Sequence, residues 1–165
     1  MRVLGIDPGS LKSGYGLVDE QQGQLTVVDY GVIRTVPDTP LAQRLLLISA
    51  RLQELIARHA PDEVAVEDVF VAKNAQSSLK LGQARGAILL TVAQAGLPVA
   101  EYTPLEVKQS AVGYGRADKE QVQQMVKVLL RLKEIPTPDD AADALAIAIC
   151  HHHSVKVRHQ IEGRR

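Results

Sequence analysis

The feature that most constrains this fold is a run of three strand-like segments that precedes the first helical pattern. Apolar residues dominate Arg2–Asp7, Gly14–Val18 and Leu25–Arg34, and a polar turn at Gln21-Gln22-Gly23 separates the last two segments. Consecutive strands that are joined by short connections pair antiparallel. The sequence therefore predicts that the chain begins as an antiparallel meander.

The rest of the chain alternates helical and strand-like patterns. After Pro40, apolar residues recur at three- and four-residue steps, which predicts an amphipathic helix ending near His59. The other predicted elements are strands at Glu63–Val69 and Val99–Tyr102, helices at Asn74–Gln94, Pro104–Val112 and Lys119–Leu132, and a last helix opened by Thr137-Pro138-Asp139-Asp140. Strands linked through helices run parallel to their neighbours. We therefore expect an α/β fold, with a mixed five-stranded sheet flanked by helices on both faces.

Length and composition indicate one globular domain. The chain has 165 residues, of which 45% are apolar and 23% charged, so it can bury one core. Its longest apolar runs fall far short of the roughly 20 residues that a membrane span needs. The N-terminus does not resemble a signal peptide, and a lone cysteine, Cys150, agrees with a reducing compartment. We expect a cytoplasmic domain over residues 1–153, followed by a polar, basic and disordered tail over residues 154–165.

Charge is unevenly distributed although 19 basic residues balance 19 acidic ones. Residues 73–133 hold nine Lys or Arg against four acids, whereas residues 1–72 hold six Lys or Arg against ten acids. An acidic pocket beside a basic surface is what a metal-dependent enzyme acting on nucleic acid needs. Ordinary solvated charged faces are the alternative interpretation of the same pattern.

Two acidic residues end predicted strands. Asp7 follows Val3-Leu4-Gly5-Ile6 and leads into a Pro-Gly turn, and Glu67 follows Val64-Ala65-Val66. Ligands of α/β sheets gather at the carboxyl ends of the strands, and a buried carboxylate needs a cation or a donor. The alternatives are that Asp7 only caps its turn and that Glu67 is an exposed strand end.

The last predicted helix carries acidic residues at helical spacing. Asp143 lies three residues after Asp140, on the same face, among alanines that allow close packing against a sheet. Asp139 and Asp140 are also explained by the favourable position of acids in a first turn. If Asp140 and Asp143 lie beside the two strand-end acids, the four negative charges repel one another unless divalent cations neutralise them. Ligands that are all carboxylate oxygens favour Mg²⁺ or Mn²⁺. Two such ions would activate a water and stabilise the leaving oxygen of a phosphodiester.

Several motifs together resemble the RuvC family of Holliday-junction resolvases over residues 1 to about 153. They are Gly5-Ile6-Asp7-Pro8-Gly9, Val66-Glu67 followed by Val69-Phe70, the run from Asn74-Ala75 through Lys80-Leu81-Gly82-Gln83-Ala84-Arg85-Gly86, Val107-Lys108-Gln109, and Asp140-Ala141-Ala142-Asp143-Ala144-Leu145-Ala146. The resemblance implies a ribonuclease-H-like fold and a homodimeric endonuclease. Such enzymes cut a four-way DNA junction at two symmetric points with Mg²⁺ or Mn²⁺, and leave 5′-phosphate nicks during recombination and repair.

The resemblance also assigns roles to residues. Asp7, Glu67, Asp140 and Asp143 match the acidic metal ligands and are the predicted catalytic residues, with two ions expected per site. The predicted DNA contacts are a base-stacking aromatic, Phe70, the lysines near the scissile phosphates, Lys108 and Lys119, and backbone contacts at Lys73, Lys80 and Arg85. Stacking on Phe70 would be worth about 1 to 3 kcal/mol. Phe70 could also be an ordinary core aromatic, and each cation a solvated surface charge.

Partners are expected as well. The family implies the RuvA-RuvB branch-migration complex, and the helix at 74–94 is the candidate dimer interface. Two other functions stay open: a junction-binding scaffold without catalysis, and an actin-like ATP site, which would need a second domain. His151, His152 and His153 are consecutive and cannot all face one metal, so we expect a frayed helix end there.

Overall fold

A computed structural model describes residues 1–68 and 74–162, with side chains described as far as residue 158. The strands are β1 (Arg2–Asp7), β2 (Lys12–Gln21), β3 (Gln24–Arg34), β4 (Glu63–Glu67) and β5 (Val99–Tyr102). The helices are α1 (Leu41–His59), α2 (Ala75–Gln94), α3 (Pro104–Val112), α4 (Lys119–Leu129) and α5 (Asp139–Glu162). None of the helices in these described ranges is long and apolar enough to cross a membrane.

The five strands form one mixed sheet in the order β3-β2-β1-β4-β5. The pairs β1–β2 and β2–β3 are antiparallel, and the pairs β1–β4 and β4–β5 are parallel. The predicted meander and the parallel crossovers are both confirmed. Gln22 and Gly23 adopt positive φ at the predicted tight turn between β2 and β3.

Helices cover both faces of the sheet, as predicted. Alternate residues of β1 point to opposite sides, so Leu4 and Ile6 pack with α1 and α2, whereas Val3 packs with α3, α4 and α5. On the α5 side, the core is made largely by alanines and by Leu145, Ile147 and Ile149 of α5 itself.

Four elements differ from the sequence prediction by two residues or more at one end or both. β2 runs beyond Gly14–Val18 at both ends, because its ladder with β3 continues from Lys12 to Gln21 through residues that are not apolar. α4 ends at Leu129 rather than at Leu132, because Arg131 adopts φ 53 and the Leu132 N–H bonds back to Lys127 O at 2.9 Å.

The two remaining elements are β4 and α5. β4 ends at Glu67, and Val69 of its predicted length lies outside the described residues. α5 runs past the expected domain end at residue 153 as far as Glu162, and residues 163–165 lie outside the described residues. The division into a domain and a tail stays a prediction.

Candidate active site

Two acidic side chains leave the sheet on neighbouring parallel strands. Ile6 of β1 is in register with Val66 of β4, so Asp7 and Glu67, one residue further along, end adjacent strands at the same edge. This is the juxtaposition that the sequence predicted for the strand-end acids.

Helix α5 reaches this edge because glycines in the sheet leave it room. Gly14 pairs with Asp7 across β1 and β2, and a Cβ built on Gly14 would lie 1.9 Å from the main-chain oxygen of Asp140. A Cβ on Gly5 would lie 2.1 Å from the Ala144 oxygen. The helix backbone therefore packs directly on the strand backbone, and its acidic first turns lie over the end of β1.

The four acids form one electrostatic unit, here called the carboxylate cluster: Asp7, Glu67, Asp140 and Asp143. Burial, and then the charges of Glu67, Asp143 and Asp140, raise the pKa of Asp7 to about 8. Burial and the charge of Asp143 raise the pKa of Glu67, and burial also raises the pKa of Asp143. Concentrated negative charge is thus the main property of the site.

Two lysines lie beside the cluster. Lys119 Nζ is 3.0 Å from Asp143 Oδ2 and 3.3 Å from Asp139 Oδ2. Burial would lower the pKa of Lys119, but its hydrogen bonds and its attraction to Asp143 and Asp139 outweigh burial and raise it. Lys108 lowers the pKa of Glu67 by its charge, and it lines a cavity of about 230 Å³ together with Glu67, Asp143 and Lys119.

The donor set fits a hard divalent cation in its chemistry. All four side chains of the cluster offer carboxylate oxygens, and Asp7 is held in mutual repulsion with the other three. Within residues 1–68 and 74–162, no three carboxylate, imidazole or thiol groups are drawn together tightly enough to hold a metal ion as they stand. The acids therefore share one electrostatic environment without a closed ligand shell.

Of the other residues predicted to contact DNA, Arg85 and Lys80 differ in their ion pairs and in their place in the fold. Arg85 Nη2 is 3.0 Å from Asp68 Oδ1 and also pairs with Glu101, so its charge is already compensated. Lys80 lies near the start of α2, beside the turn between β1 and β2. Phe70 and Lys73 lie outside the described residues.

The sequence did not indicate the residues that hold the turn after Asp7 and that allow α5 to approach the sheet. Ser13, 1% exposed, donates to Gly9 O at 2.7 Å and accepts from the Gly9 N–H at 3.2 Å, which fixes the turn that follows Asp7. Glycines at Gly5, Gly14 and Gly16 lie opposite an alanine-rich helix. Alternate glycines in the predicted strands, together with the alanines of the last helix, could have predicted the close contact between α5 and the sheet.

The prediction of a frayed helix at the three histidines is wrong. His151 is fully buried inside α5, with Nδ1 2.8 Å from the Tyr102 hydroxyl and Nε2 2.8 Å from Glu63 Oε2. His152 Nε2 lies 3.0 Å from Val18 O. These rings anchor α5 to the sheet, and Cys150 beside them is buried.

Comparison with known proteins gives a consistent result. The family profile described as "Crossover junction endodeoxyribonuclease RuvC" matches residues 3–151. Relatives of that name from Desulfitobacterium hafniense and from Geobacter sp. (strain M21) are 53% and 54% identical, over 99% and 100% of this chain and of their own length. The solved structure "T. thermophilus RuvC in complex with Holliday junction substrate" superposes with a TM-score of 0.90 at 40% identity, covering 95% of this chain and 96% of that one. A yeast mitochondrial Holliday junction resolvase shares the fold, with a TM-score of 0.63 at 14% identity over 90% of this chain and 77% of that one.

Proposed function

This chain belongs to the RuvC family of crossover junction endodeoxyribonucleases, and from that membership we propose that the carboxylate cluster is its catalytic centre. The protein is an endonuclease that hydrolyses phosphodiester bonds of Holliday junctions. The family assignment favours this activity over the non-catalytic scaffold and over the ATP-binding domain.

The observation that carries the proposal is the setting of Asp7. It is partly buried beside Glu67, Asp140 and Asp143, and its pKa is raised first by burial and then by the charges of these three acids, both of which a bound cation would offset. Asp7, Glu67, Asp140 and Asp143 would hold Mg²⁺ or Mn²⁺, with two ions expected. When bound, such an ion supplies positive charge that makes a water more acidic and stabilises the leaving oxygen.

The chain's own residues position the reacting groups. Lys119 and Lys108 flank the cluster and would bind the non-bridging oxygens of the scissile phosphate. A carboxylate of the cluster would accept the proton of the attacking water. The new bond joins that water oxygen to phosphorus, the bond to the 3′ oxygen breaks, and the 5′ phosphate stays on the nick.

A homodimer through α2 is supported by residues that the monomer does not use. Leu79, Gly82, Gly86 and Leu90 recur on one face of α2, and the two leucines are 64% and 61% exposed. A Cβ on either glycine would meet nothing within 4 Å. Glycine costs a helix about 1 kcal/mol relative to alanine, so these positions fit close approach by a second copy.

The dimer accounts for paired cuts. A two-fold symmetric enzyme presents two identical sites to a junction with matching symmetry. Base stacking on Phe70, phosphate contacts from Lys73, Lys80 and Arg85, a RuvA-RuvB partner and a cytoplasmic location complete the proposal. Arg85 would have to leave Asp68 and Glu101 to reach DNA.

Asp7→Asn tests the catalytic assignment. The amide keeps the shape of the side chain and removes its charge, so we expect cleavage of a synthetic four-way junction with Mg²⁺ to fall at least about a thousandfold, with junction binding retained. The control is Asp38→Asn, an exposed acid outside the cluster, which should cut at the normal rate. Unchanged cleavage by Asp7→Asn would remove the cluster from the mechanism.

A further inference from the structure

Among the residues that the structure describes, Arg44 is a buried arginine without a carboxylate partner. It projects from α1, is 7% exposed, and is the one permanently charged residue among the buried polar residues of the described chain. Its Nε has no hydrogen-bond partner there, and its Nη1 reaches only the Ser10 main-chain oxygen, at 3.4 Å. An arginine stays charged at any physiological pH, so burying it without an anion is costly.

Arg44 lines a cleft whose other charged groups are also cations. The cleft has a volume of about 600 Å³, and Arg44, Lys12 and Lys80 line it with no Asp or Glu among the lining residues. Among residues 1–68 and 74–162, none of these three cations forms an ion pair. We call this space the Arg44 cleft.

Neutral groups of the cleft also suit an anion. Its remaining polar lining comes from Ser77 and from the Gly9-Ser10 turn. Ser77 lies in the first turn of α2, at the positive end of the helix dipole, and its N–H donates to Asn74 Oδ1 at 2.9 Å, which leaves its hydroxyl and the dipole to act on an anion. The buried unpaired arginine, the surrounding cations and this helix end all point to a ligand such as a phosphodiester, which accepts paired hydrogen bonds from a guanidinium.

The cleft lies close to the catalytic carboxylates but on the other face of the sheet. Gly9 is two residues beyond Asp7, which limits their separation to about 7 Å. Asp7 lies under α5, whereas Arg44 and Lys80 belong to the helices of the opposite face. The hydrogen bonds between Ser13 and Gly9 hold the turn that leads from Asp7 to the cleft.

We propose that the Arg44 cleft binds a backbone phosphate of the junction, adjacent to the scissile phosphate, with Arg44 as the anchoring residue. A DNA strand that crosses the edge of the sheet at the Gly9-Ser10 turn would place one phosphate at the carboxylate cluster. A neighbouring phosphate of the same DNA strand would then lie in the Arg44 cleft. The proposal rests on the proposed function, since it uses the same DNA strand. It also gives Lys80 a defined partner in DNA binding.

The test is junction binding by the full-length chain in the Asp7→Asn background, so that binding is read apart from cleavage. Arg44→Met keeps the buried aliphatic stem and removes the charge. We expect about tenfold weaker binding in fluorescence anisotropy and a salt dependence shallower by about one ion. The matched control is Arg51→Met on the same helix, an exposed arginine outside the cleft, which should keep normal affinity.

Neutral methylphosphonate linkages locate the phosphate. A methylphosphonate at one position near the cut should weaken junction binding by the parent chain. The same linkage should not weaken binding by Arg44→Met, because that variant already lacks the contact between Arg44 and the phosphate. If Arg44→Met fails to fold, Lys12→Ala at an exposed position of the same cleft replaces it. We expect Lys12→Ala to weaken junction binding by less than tenfold. The proposal is overturned if Arg44→Met and Lys12→Ala bind normally, or if every methylphosphonate position affects parent and variant alike. Cleavage by Asp7→Asn would instead contradict the catalytic assignment.

Discussion

The two helical layers pack on the sheet in different ways. Beneath α5, glycines of β1 and β2 meet the helix backbone directly, as at Gly14 and Asp140. Beneath α1 and α2, large side chains such as Leu4, Ile48 and Ile88 fill the space between sheet and helix. Backbone contact fixes a helix position with little room to adjust, whereas interdigitated side chains can repack. The proposed chemistry lies in the layer whose geometry is fixed most closely.

Gly14→Ala should have the largest effect on this comparison. The new Cβ would overlap the Asp140 main-chain oxygen, so α5 must shift and carry Asp140 and Asp143 away from Asp7. We expect junction cleavage to fall at least about a hundredfold, since displacements of about 1 Å cost that much, together with about 1 to 3 kcal/mol of unfolding free energy. Cleavage rates and urea denaturation measure both. Normal cleavage would show that the close contact is not what positions the cluster.

Ile48→Val probes the other layer. The residue is 1% exposed in the side-chain core beneath α1, and removing one methylene should cost about 0.5 to 1.5 kcal/mol of unfolding free energy. Because α1 does not position the carboxylates, the cleavage rate per folded molecule should be unchanged. A rate loss as large as that of Gly14→Ala would erase the distinction between the layers.

Gly86→Ala tests why α2 carries exposed glycines. With open space around the new Cβ, the isolated chain should gain about 0.5 to 1 kcal/mol of stability from helix propensity. Dimerisation, measured by analytical ultracentrifugation, should weaken because the second helix can no longer approach. Gain of stability with unaltered dimerisation would exclude this face as the interface.

The smallest effect expected is a pH dependence of the stability that His151 contributes in the middle of α5. With Glu63 ionised, His151 donates from Nε2, and its Nδ1 accepts from Tyr102, which satisfies the neutral ring. Burial lowers the pKa of His151, although the bond and charge of Glu63 partly offset this. The unfolded chain therefore binds the proton more readily, and His151 contributes stability above about pH 6.5 that is lost as the pH falls from that value through the lower pKa of the folded state.

His151→Gln isolates that contribution. The difference in unfolding free energy between the parent chain and the variant should shrink from pH 7.5 to pH 5.5. Taking the difference cancels the contributions of Asp7, Glu67 and Asp143, whose raised pKa values change stability in the opposite direction. A difference that grows on acidification would mean that the charged ring is the stabilised form.

Much of the fold was predictable because local patterns and their order restrict the topology. The apolar strand segments, the helical period after Pro40 and the turn at Gln22-Gly23 are sequence-local signals. The end of α4 was not predictable, because an arginine, Arg131, adopts the left-handed conformation where glycine is the usual signal. The three histidines were misjudged because their polar partners are distant in the chain: those of His151 and His152 come from β2, β4 and β5, and that of His153 is Ser110 of α3.

The candidate site divides in the same way. Asp7 and Glu67 were found as strand-end acids, and Asp140 with Asp143 as one face of a helix. The charges of Asp140 and Asp143 raise the pKa of Asp7 only because α5 packs closely on the sheet. That close packing depends on Gly14, which belongs to β2. Arg44 gave no sequence signal, because nothing in an amphipathic helix shows that a polar residue is buried without a partner.

By itself, the sequence determined the order and type of the elements, the acids available for catalysis and the family resemblance, since these depend on residue types and short-range spacing. How near the acids come to one another depends on tertiary structure alone. So does the pairing of cations: within the described part of the chain, Arg85 is paired and Arg44 is not. The physical reason is that charge interactions and burial depend on distances across the fold, and those distances are set by packing between residues far apart in the chain.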